Sequence, residues 1–507
     1  MAIVTLGCGR NEVDSEQLAG LFHRAGVPVV DTPEAADVVL VNTCTFIAPA
    51  KQESIDTVLA ACQLKDRGAR AVLVVGCMAQ RYPEELADAI PEADAVVGFD
   101  GYARLPQIVD DVLQGRQPDR VVGVGAAHPG SRPASRSLPL VLARSTEGVD
   151  GSLLGLEVSE RPGQGRDGEA DGALDGLDRV PATGPRFPVR RRAPEAVGRP
   201  WAYLKIAAGC DRTCTFCAIP SFRGRFRSRP LDELLAEAAW LADQGVRELV
   251  LVSENTTSWG KDLPGGRAAQ PQLLRELAQV DGIERLRLMY LQPAELTRPL
   301  LAAIAAEPKV ASYYDLSLQH VAGGVVARMG RSGDHVRFAE LVRHAREADP
   351  AAVFRSNFIL GFPGETEEDV RTLEGFLEDQ ELDWVGLFAF SREDGTPSHD
   401  LPDQVPASLA AERVARVSEL QERVADRAAA RFVGRRLDVL VEEDDAVDGA
   451  VGRSYREAPE TDGEVRLVGP DGRPAAPPVG RLVPVQVVQA VGVDLVARVA
   501  VDGGAGG

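Results

Sequence analysis

The sequence predicts an α/β protein in three parts: an N-terminal doubly wound parallel sheet, a central full or partial (β/α) barrel, and a small C-terminal β-barrel. Three observations carry this. Short β-branched runs alternate with helical apolar periods over the first hundred residues, longer βα units repeat from Trp201 to about Ala430, and beyond Phe432 only short strand-like runs remain. At 507 residues the chain exceeds what one hydrophobic core organises, so roughly two to four domains are expected. Hydrophobic residues at 44% and charged residues at 26% are ordinary for a folded chain and exclude wholesale disorder.

In the first part, residues 1–127, Ile3 to Leu6, Val38 to Val41, Val72 to Val75 and Ala95 to Val97 read as strands. Asp14 to Ala25, Ala50 to Asp66 and Pro83 to Ile90 read as the helices between them, an order that argues for a parallel sheet. Residues 128–199 lose any sustained apolar period to Gly, Pro, Ser, Arg and Asp, and read as a disordered linker or insertion. Its Arg190-Arg191-Arg192 run reads as solvated charge in a flexible segment, with a docking patch as the alternative. In residues 200–430, Leu249 to Val252, Leu286 to Tyr290, Tyr314 to Leu318, Arg355 to Leu360 and Trp384 to Phe390 are strand-like and alternate with long helical segments, as in a (β/α) barrel. In residues 431–507, Leu437 to Val441, Glu464 to Val468 and Val483 to Val488 suggest a small β-barrel followed by a frayed tail.

The formal net charge of −20 disfavours a phosphate backbone as the main substrate. No run of 18 apolar residues occurs, and the first residues lack a basic region followed by an apolar one, so a cytoplasmic, non-membrane protein is expected. In that compartment the seven cysteines read as metal ligands or catalytic thiols rather than disulfides.

Cys210, Cys214 and Cys217 follow the strand-like Tyr203 to Ile206 at CxxxCxxC spacing. Three thiolates on one loop can hold three irons of a [4Fe-4S] cube and leave the fourth iron open. A zinc site would want a fourth Cys or His at ribbon-like spacing, and none follows closely. Cys8, Cys44 and Cys77 each sit just past the carboxyl end of a predicted parallel strand, where an α/β sheet gathers its ligands. Their convergence points to a second cube with an open iron. Cys62, inside a helical pattern, reads as a small core residue. Electron carriers ordinarily complete their cubes with a fourth thiolate, which argues against a non-catalytic iron–sulfur carrier or ribosome-binding protein.

On these residues the chain resembles the methylthiotransferase family of the radical S-adenosylmethionine superfamily. The resemblance rests on the cysteine motif together with Gly7-Cys-Gly-Arg-Asn-Glu-Val-Asp-Ser-Glu16, Val41-Asn-Thr-Cys-Thr-Phe-Ile47 and Gly76-Cys-Met-Ala-Gln-Arg-Tyr82. It covers nearly the whole chain outside the insertion, with the C-terminal barrel resembling a TRAM domain. It implies an auxiliary cluster on Cys8, Cys44 and Cys77, and a radical cluster on Cys210, Cys214 and Cys217. It also implies S-adenosylmethionine chelated at the open iron and cleaved by one electron, supplied by a donor such as flavodoxin or ferredoxin. Where the family usually has Pro-Lys after the first cysteine, this chain has Gly9-Arg10. Ser253, Glu254 and Asn255 at one strand end, and Gly361 and Glu365 after another, are candidate S-adenosylmethionine contacts, with ordinary turn chemistry as the alternative. His320 reads as a pocket-lining residue or a satisfied core histidine.

Family members divide chiefly into tRNA adenosine modifiers and enzymes that methylthiolate the β-carbon of an aspartate in small-subunit ribosomal protein twelve. Val97-Gly-Phe-Asp-Gly-Tyr102, Leu318-Gln-His320, Ser391-Arg-Glu-Asp-Gly-Thr-Pro397 and Gly452-Arg-Ser-Tyr-Arg-Glu-Ala-Pro459 resemble the second branch. Charge gives a separate test: from Arg431 onward nine Arg and no Lys face thirteen Asp and Glu, a net −4 that suits a basic ribosomal protein better than tRNA.

Overall fold

The computed structural model describes residues 1–124, 190–193, 196–445 and 449–500. Most of the predicted linker and the predicted tail lie outside the described residues. Among the described residues no helix is long and apolar enough to cross a membrane.

The N-terminal strands Ala2–Thr5, Val38–Thr43, Ala71–Val75, Ala95–Val97 and Val121–Val122 form one parallel sheet in sequential order. Period-two alternation divides their side chains between two helical layers. Val39, Val41, Val72 and Val74 pack with Ile55, Val58 and Leu86 on one face, while Val38, Leu40, Leu73 and Val75 meet Leu18, Phe22, Ile108 and Val109 on the other. The two-faced winding is the predicted one. Because the order is sequential, no strand-order reversal opens a crevice, and the first three strands deliver their carboxyl ends side by side. The first helix, Gly9–Arg24, begins earlier than expected and takes Cys8 as its N-cap. The short helix Gly76–Arg81 was too brief to leave a period in the sequence, so Cys77 lies in a helical turn.

The central domain has six parallel strands in two linked halves: Trp201–Lys205, Glu248–Val252 and Arg285–Leu288, then Tyr313–Gln319, Val353–Leu360 and Trp384–Ala389. Bridges Leu286↔Val310 and Leu291↔Leu316 join the halves, which makes a partial barrel. Trp201–Lys205, Glu248–Val252 and Arg285–Leu288 are buried along their whole length, polar residues included. The C-terminal strands Arg436–Asp445, Gly449–Arg453, Val465–Val468, Leu482–Val491 and Asp494–Val499 close into a barrel around Val439, Val441, Leu467 and Val485.

This small barrel docks on the amino ends of the central strands through buried charge. Glu248 accepts from Arg287 Nε at 2.7 Å and lies 3.1 Å from Arg453. Arg285 and Arg287 also donate to the carbonyls of Asp438, Arg453, Ser454 and Tyr455. The reading of Arg190-Arg191-Arg192 as solvated is corrected here: Arg190 and Arg192 are buried at 4% and 5% exposure. Arg190 pairs with Glu16 of the first helix and, at 3.1 Å, with Glu237 of the central domain, so two carboxylates offset its desolvation.

Candidate functional site

The three strand-end loops of the N-terminal sheet are clasped together by two asparagines. Asn11 Nδ2 donates to the carbonyls of Leu6 at 2.9 Å and Thr43 at 3.2 Å, and its Oδ1 lies 3.6 Å from Cys77 Sγ. Asn42 Nδ2 donates to Asn11 O at 2.9 Å. Two glycines allow the close approach. A Cβ on Gly7, at φ +98°, would stand 3.0 Å from Cys44 Sγ, and one on Gly76, at φ +91°, would stand 2.4 Å from Asn42 Oδ1. Cys8, Cys44 and Cys77 are thereby gathered at one sheet edge.

The second cysteine loop follows the first strand of the central domain. Gly209, at φ +78°, lies against the Arg225 carbonyl where a Cβ would have no room, and Cys210 N donates to Gly224 O at 3.1 Å. On the far side Thr215 N donates to Met329 O at 3.0 Å and Thr215 Oγ1 to Arg328 O at 2.8 Å. Arg331 Nη1 donates to Cys214 Sγ at 3.3 Å.

Between the trios runs a chain of buried charge. Arg10 donates from Nε to Cys8 Sγ at 3.4 Å and from Nη1 to Ser253 O at 3.3 Å, with its guanidinium 5.0 Å over the Tyr290 ring. Arg223 donates to Cys77 Sγ at 3.2 Å and Asn11 Oδ1 at 2.7 Å, and pairs with Asp14 at 3.1 Å. Asp14 in turn holds Lys205 of the central domain at 2.5 Å. Glu254 lies 3.9 Å from Arg10 and 3.7 Å from Arg223. Its side chain is 1% exposed, yet neither carboxylate oxygen accepts a hydrogen bond. Such a group is costly unless something else occupies the space it faces. Tyr290 and Gln319, both at carboxyl strand ends, adopt left-handed backbone at φ 61° and 71°, strain of the kind that collects at functional sites.

Burial pushes the Cys44 thiol up to about 11 and Cys217 up to about 12, and raises Cys77 and Cys210. Burial opposes ionisation of Cys8 too, but Arg10 and Arg223 outweigh it and hold that thiol below its ordinary range. Thiols that burial keeps neutral become ligands when a bound metal supplies the positive charge. Among the described residues no three Cys, His, Asp or Glu side chains surround a single ion. A cube puts each thiolate on a different iron and spaces its ligands more widely than a mononuclear site does. Three thiols per trio, guanidinium donors on three of the sulfurs and a buried Glu254 carboxylate that accepts no hydrogen bond fit iron–sulfur cubes with open positions.

Ser253 and Glu254 lie against Arg10, as just described. Asn255 turns aside to Glu295 at 3.0 Å and Ser258 at 2.9 Å. Gly361 and Glu365 belong to another network, in which Glu365 accepts from Gly361 N at 2.9 Å and Arg413 at 2.8 Å. His320 joins them: it is fully buried, 3.4 Å from Glu365, and accepts from Ala322 N at 3.0 Å, which makes it a core histidine. Cys62 sits in the apolar layer with Ile55 and Val58. The sequence reading missed Asn11, Arg223, Tyr290 and Arg331, and met Arg10 only as a departure from a familiar motif. Residues next to the cysteine motifs were the available signal, but their direction depends on tertiary packing.

Models of an uncharacterized protein family designated UPF0004, of the radical SAM superfamily and of the TRAM domain match residues 1–98, 204–377 and 433–500. The protein is therefore a three-domain radical SAM enzyme, a class that works with an iron–sulfur cluster and S-adenosylmethionine. Proteins named ribosomal protein uS12 methylthiotransferase RimO are its close relatives: those of Streptomyces avermitilis and Streptomyces coelicolor are each 47% identical, over 98% of this chain and 96% of theirs. The protein so named in Kineococcus radiotolerans matches at the same identity and coverage. The chain belongs to the RimO family of methylthiotransferases. Its fold also matches the solved radical S-adenosylmethionine methyltransferase TsrM of Kitasatospora setae, with a TM-score of 0.50 at 16% identity over 88% of this chain and 79% of that one.

Proposed function

We propose that this protein adds a methylthio group to the β-carbon of an aspartate in ribosomal protein uS12, using two [4Fe-4S] clusters and S-adenosylmethionine. Cys8, Cys44 and Cys77 hold the auxiliary cluster, and Cys210, Cys214 and Cys217 the radical cluster. The observation that carries the reading is that Arg223, shortly after the Cys210–Cys217 loop in the chain, donates to Cys77 of the other trio at 3.2 Å, because methylthio transfer needs a radical source and a sulfur source beside the same carbon. The names of the relatives supply the substrate, and the acidic C-terminal barrel is suited to a basic ribosomal protein.

When bound, the clusters and S-adenosylmethionine supply the one-electron chemistry and the methylthio group. The chain's own residues orient and insulate. Arg10, Arg223 and Arg331 donate to ligand sulfurs. Lys205 and Asp14 pin the two domains so that the trios keep one spacing. Glu254, with Ser253, would line the space where S-adenosylmethionine is held, with Asn255, Gly361 and Glu365 as the further candidate contacts. Burial of these groups keeps water from the reacting atoms. The electron comes from a flavodoxin or ferredoxin.

Anaerobic reconstitution tests the cofactor reading: about eight irons per chain are expected, and about four in Cys214→Ala, since each cube holds four. The reconstituted protein should then modify uS12. Loss of both clusters in Cys214→Ala, or modification of tRNA adenosine with uS12 untouched, contradicts the proposal.

A further inference from the structure

The sulfurs of the two trios meet different cations. Arg10 reaches Cys8 at 3.4 Å and Arg223 reaches Cys77 at 3.2 Å, whereas Arg331 reaches Cys214 at 3.3 Å. The three guanidiniums differ in how much charge they have left to give. Arg223 faces two carboxylates, Asp14 at 3.1 Å, which it shares with Lys205, and Glu254 at 3.7 Å. Arg10 has only Glu254, at 3.9 Å. Arg331's remaining partners are neutral: Gln292 Oε1, at 2.8 Å, and the Ser317 carbonyl. Arg10 and Arg331 therefore each present a largely uncompensated positive charge to one trio. The Arg10 side chain is 15% exposed, so solvent screens it weakly.

Reducing a cube by one electron adds one negative charge, and donors to its ligand sulfurs, like nearby cations, favour the reduced form. We propose that Arg10 and Arg331 are redox-tuning residues, Arg10 raising the potential of the N-terminal cluster and Arg331 that of the radical cluster. The inference rests on the two-cluster reading above. It adds that the two clusters have separately adjustable potentials, so one low-potential donor can meet both without their being locked to one value. Arg223 holds Cys77 in place but contributes less, because two carboxylates, Asp14 and Glu254, offset its charge where Arg10 has one.

The test is an EPR-monitored potentiometric titration of the reconstituted full-length chain with dithionite, in backgrounds that keep one cluster each. Cys214→Ala retains the N-terminal cluster and Cys44→Ala the radical cluster. In the first background Arg10→Gln should reduce the reduced-to-oxidised ratio at fixed potential about tenfold, a midpoint shift of about 59 mV for one electron, and Arg10→Lys should recover most of it. In the second, Arg331→Gln should do the same, and Arg10→Gln should shift the midpoint by clearly less. Midpoints that do not move, or that move equally whichever arginine is changed, overturn the proposal. So does a cluster that Arg10→Gln cannot hold and Arg10→Lys can, because the arginine would then serve assembly. If Cys214→Ala holds no cluster, the two-cluster reading itself has failed, a result distinct from two intact clusters with unmoved potentials.

Discussion

Replacing Arg190 by methionine should loosen the N-terminal domain from the central one. Arg190 and Glu16 are each 1% exposed at the side chain, and Arg190 also donates to the Tyr203 carbonyl at 2.5 Å. Glu237 keeps a second partner, Arg229, at 2.9 Å, so the damage falls on Glu16, whose carboxylate is left buried without a cation. Breaking a buried pair in this way costs about 3–5 kcal/mol, whereas replacing both partners by apolar residues is often close to neutral. The readout is hydrogen exchange in the helix Gly9–Arg24, which carries Glu16. Arg190→Met should accelerate it by about a hundredfold or more, at about 1.4 kcal/mol per tenfold, and Arg190→Met with Glu16→Met should restore most of the protection. Exchange unchanged within about threefold, or a double variant as exposed as the single, would refute the view that these residues fasten the two domains.

Three further expectations follow from the same geometry. Burial opposes ionisation of Glu248, but Arg287, Arg453 and Arg285 hold it down at about 2 against an ordinary 4.5. Its contribution, on the order of 3 kcal/mol, is therefore fully present above about pH 4.5 and lost as pH falls through 2. Acid unfolding of the C-terminal barrel should show that loss, and Glu248→Gln should flatten it. Gly76→Ala forces a Cβ to within 2.4 Å of Asn42 Oδ1 at φ +91°, so it should cost upwards of about 2 kcal/mol in thermal unfolding and lower the iron bound by the N-terminal trio. Cys62→Ala removes one buried sulfur from an apolar layer and should leave iron content at the unsubstituted value, whereas Cys44→Ala should halve it.

Much of the fold was legible because its strands are buried on both faces and read as plain apolar runs, as in Val72 to Val75 and Leu249 to Val252. The strands Gly449–Arg453 and Asp494–Val499 escaped notice because glycine or charge interrupts them and closure of the barrel, not local pattern, holds them. The cysteines were visible because their spacing and their position after strands are local facts. The charges between them were not: Arg223 reaches Cys77 across 146 residues and Arg10 reaches Ser253 across 243. The misreading of Arg190 has the same origin. Three consecutive arginines in a polar stretch look solvated until Glu16 and Glu237 arrive from two other domains. Glu365 and His320 followed strands as pocket residues do, but Glu365 pairs with Arg413 on the last long helix of the central domain and His320 packs against Glu365.

The central claim is methylthiolation of uS12, and intact mass spectrometry of that protein from cells with and without this gene tests it most directly. The account predicts a gene-dependent gain of about 46 Da localised to one aspartate, as methylthio replaces hydrogen. An unchanged uS12 mass, with a methylthio-adenosine lost from tRNA instead, would contradict it.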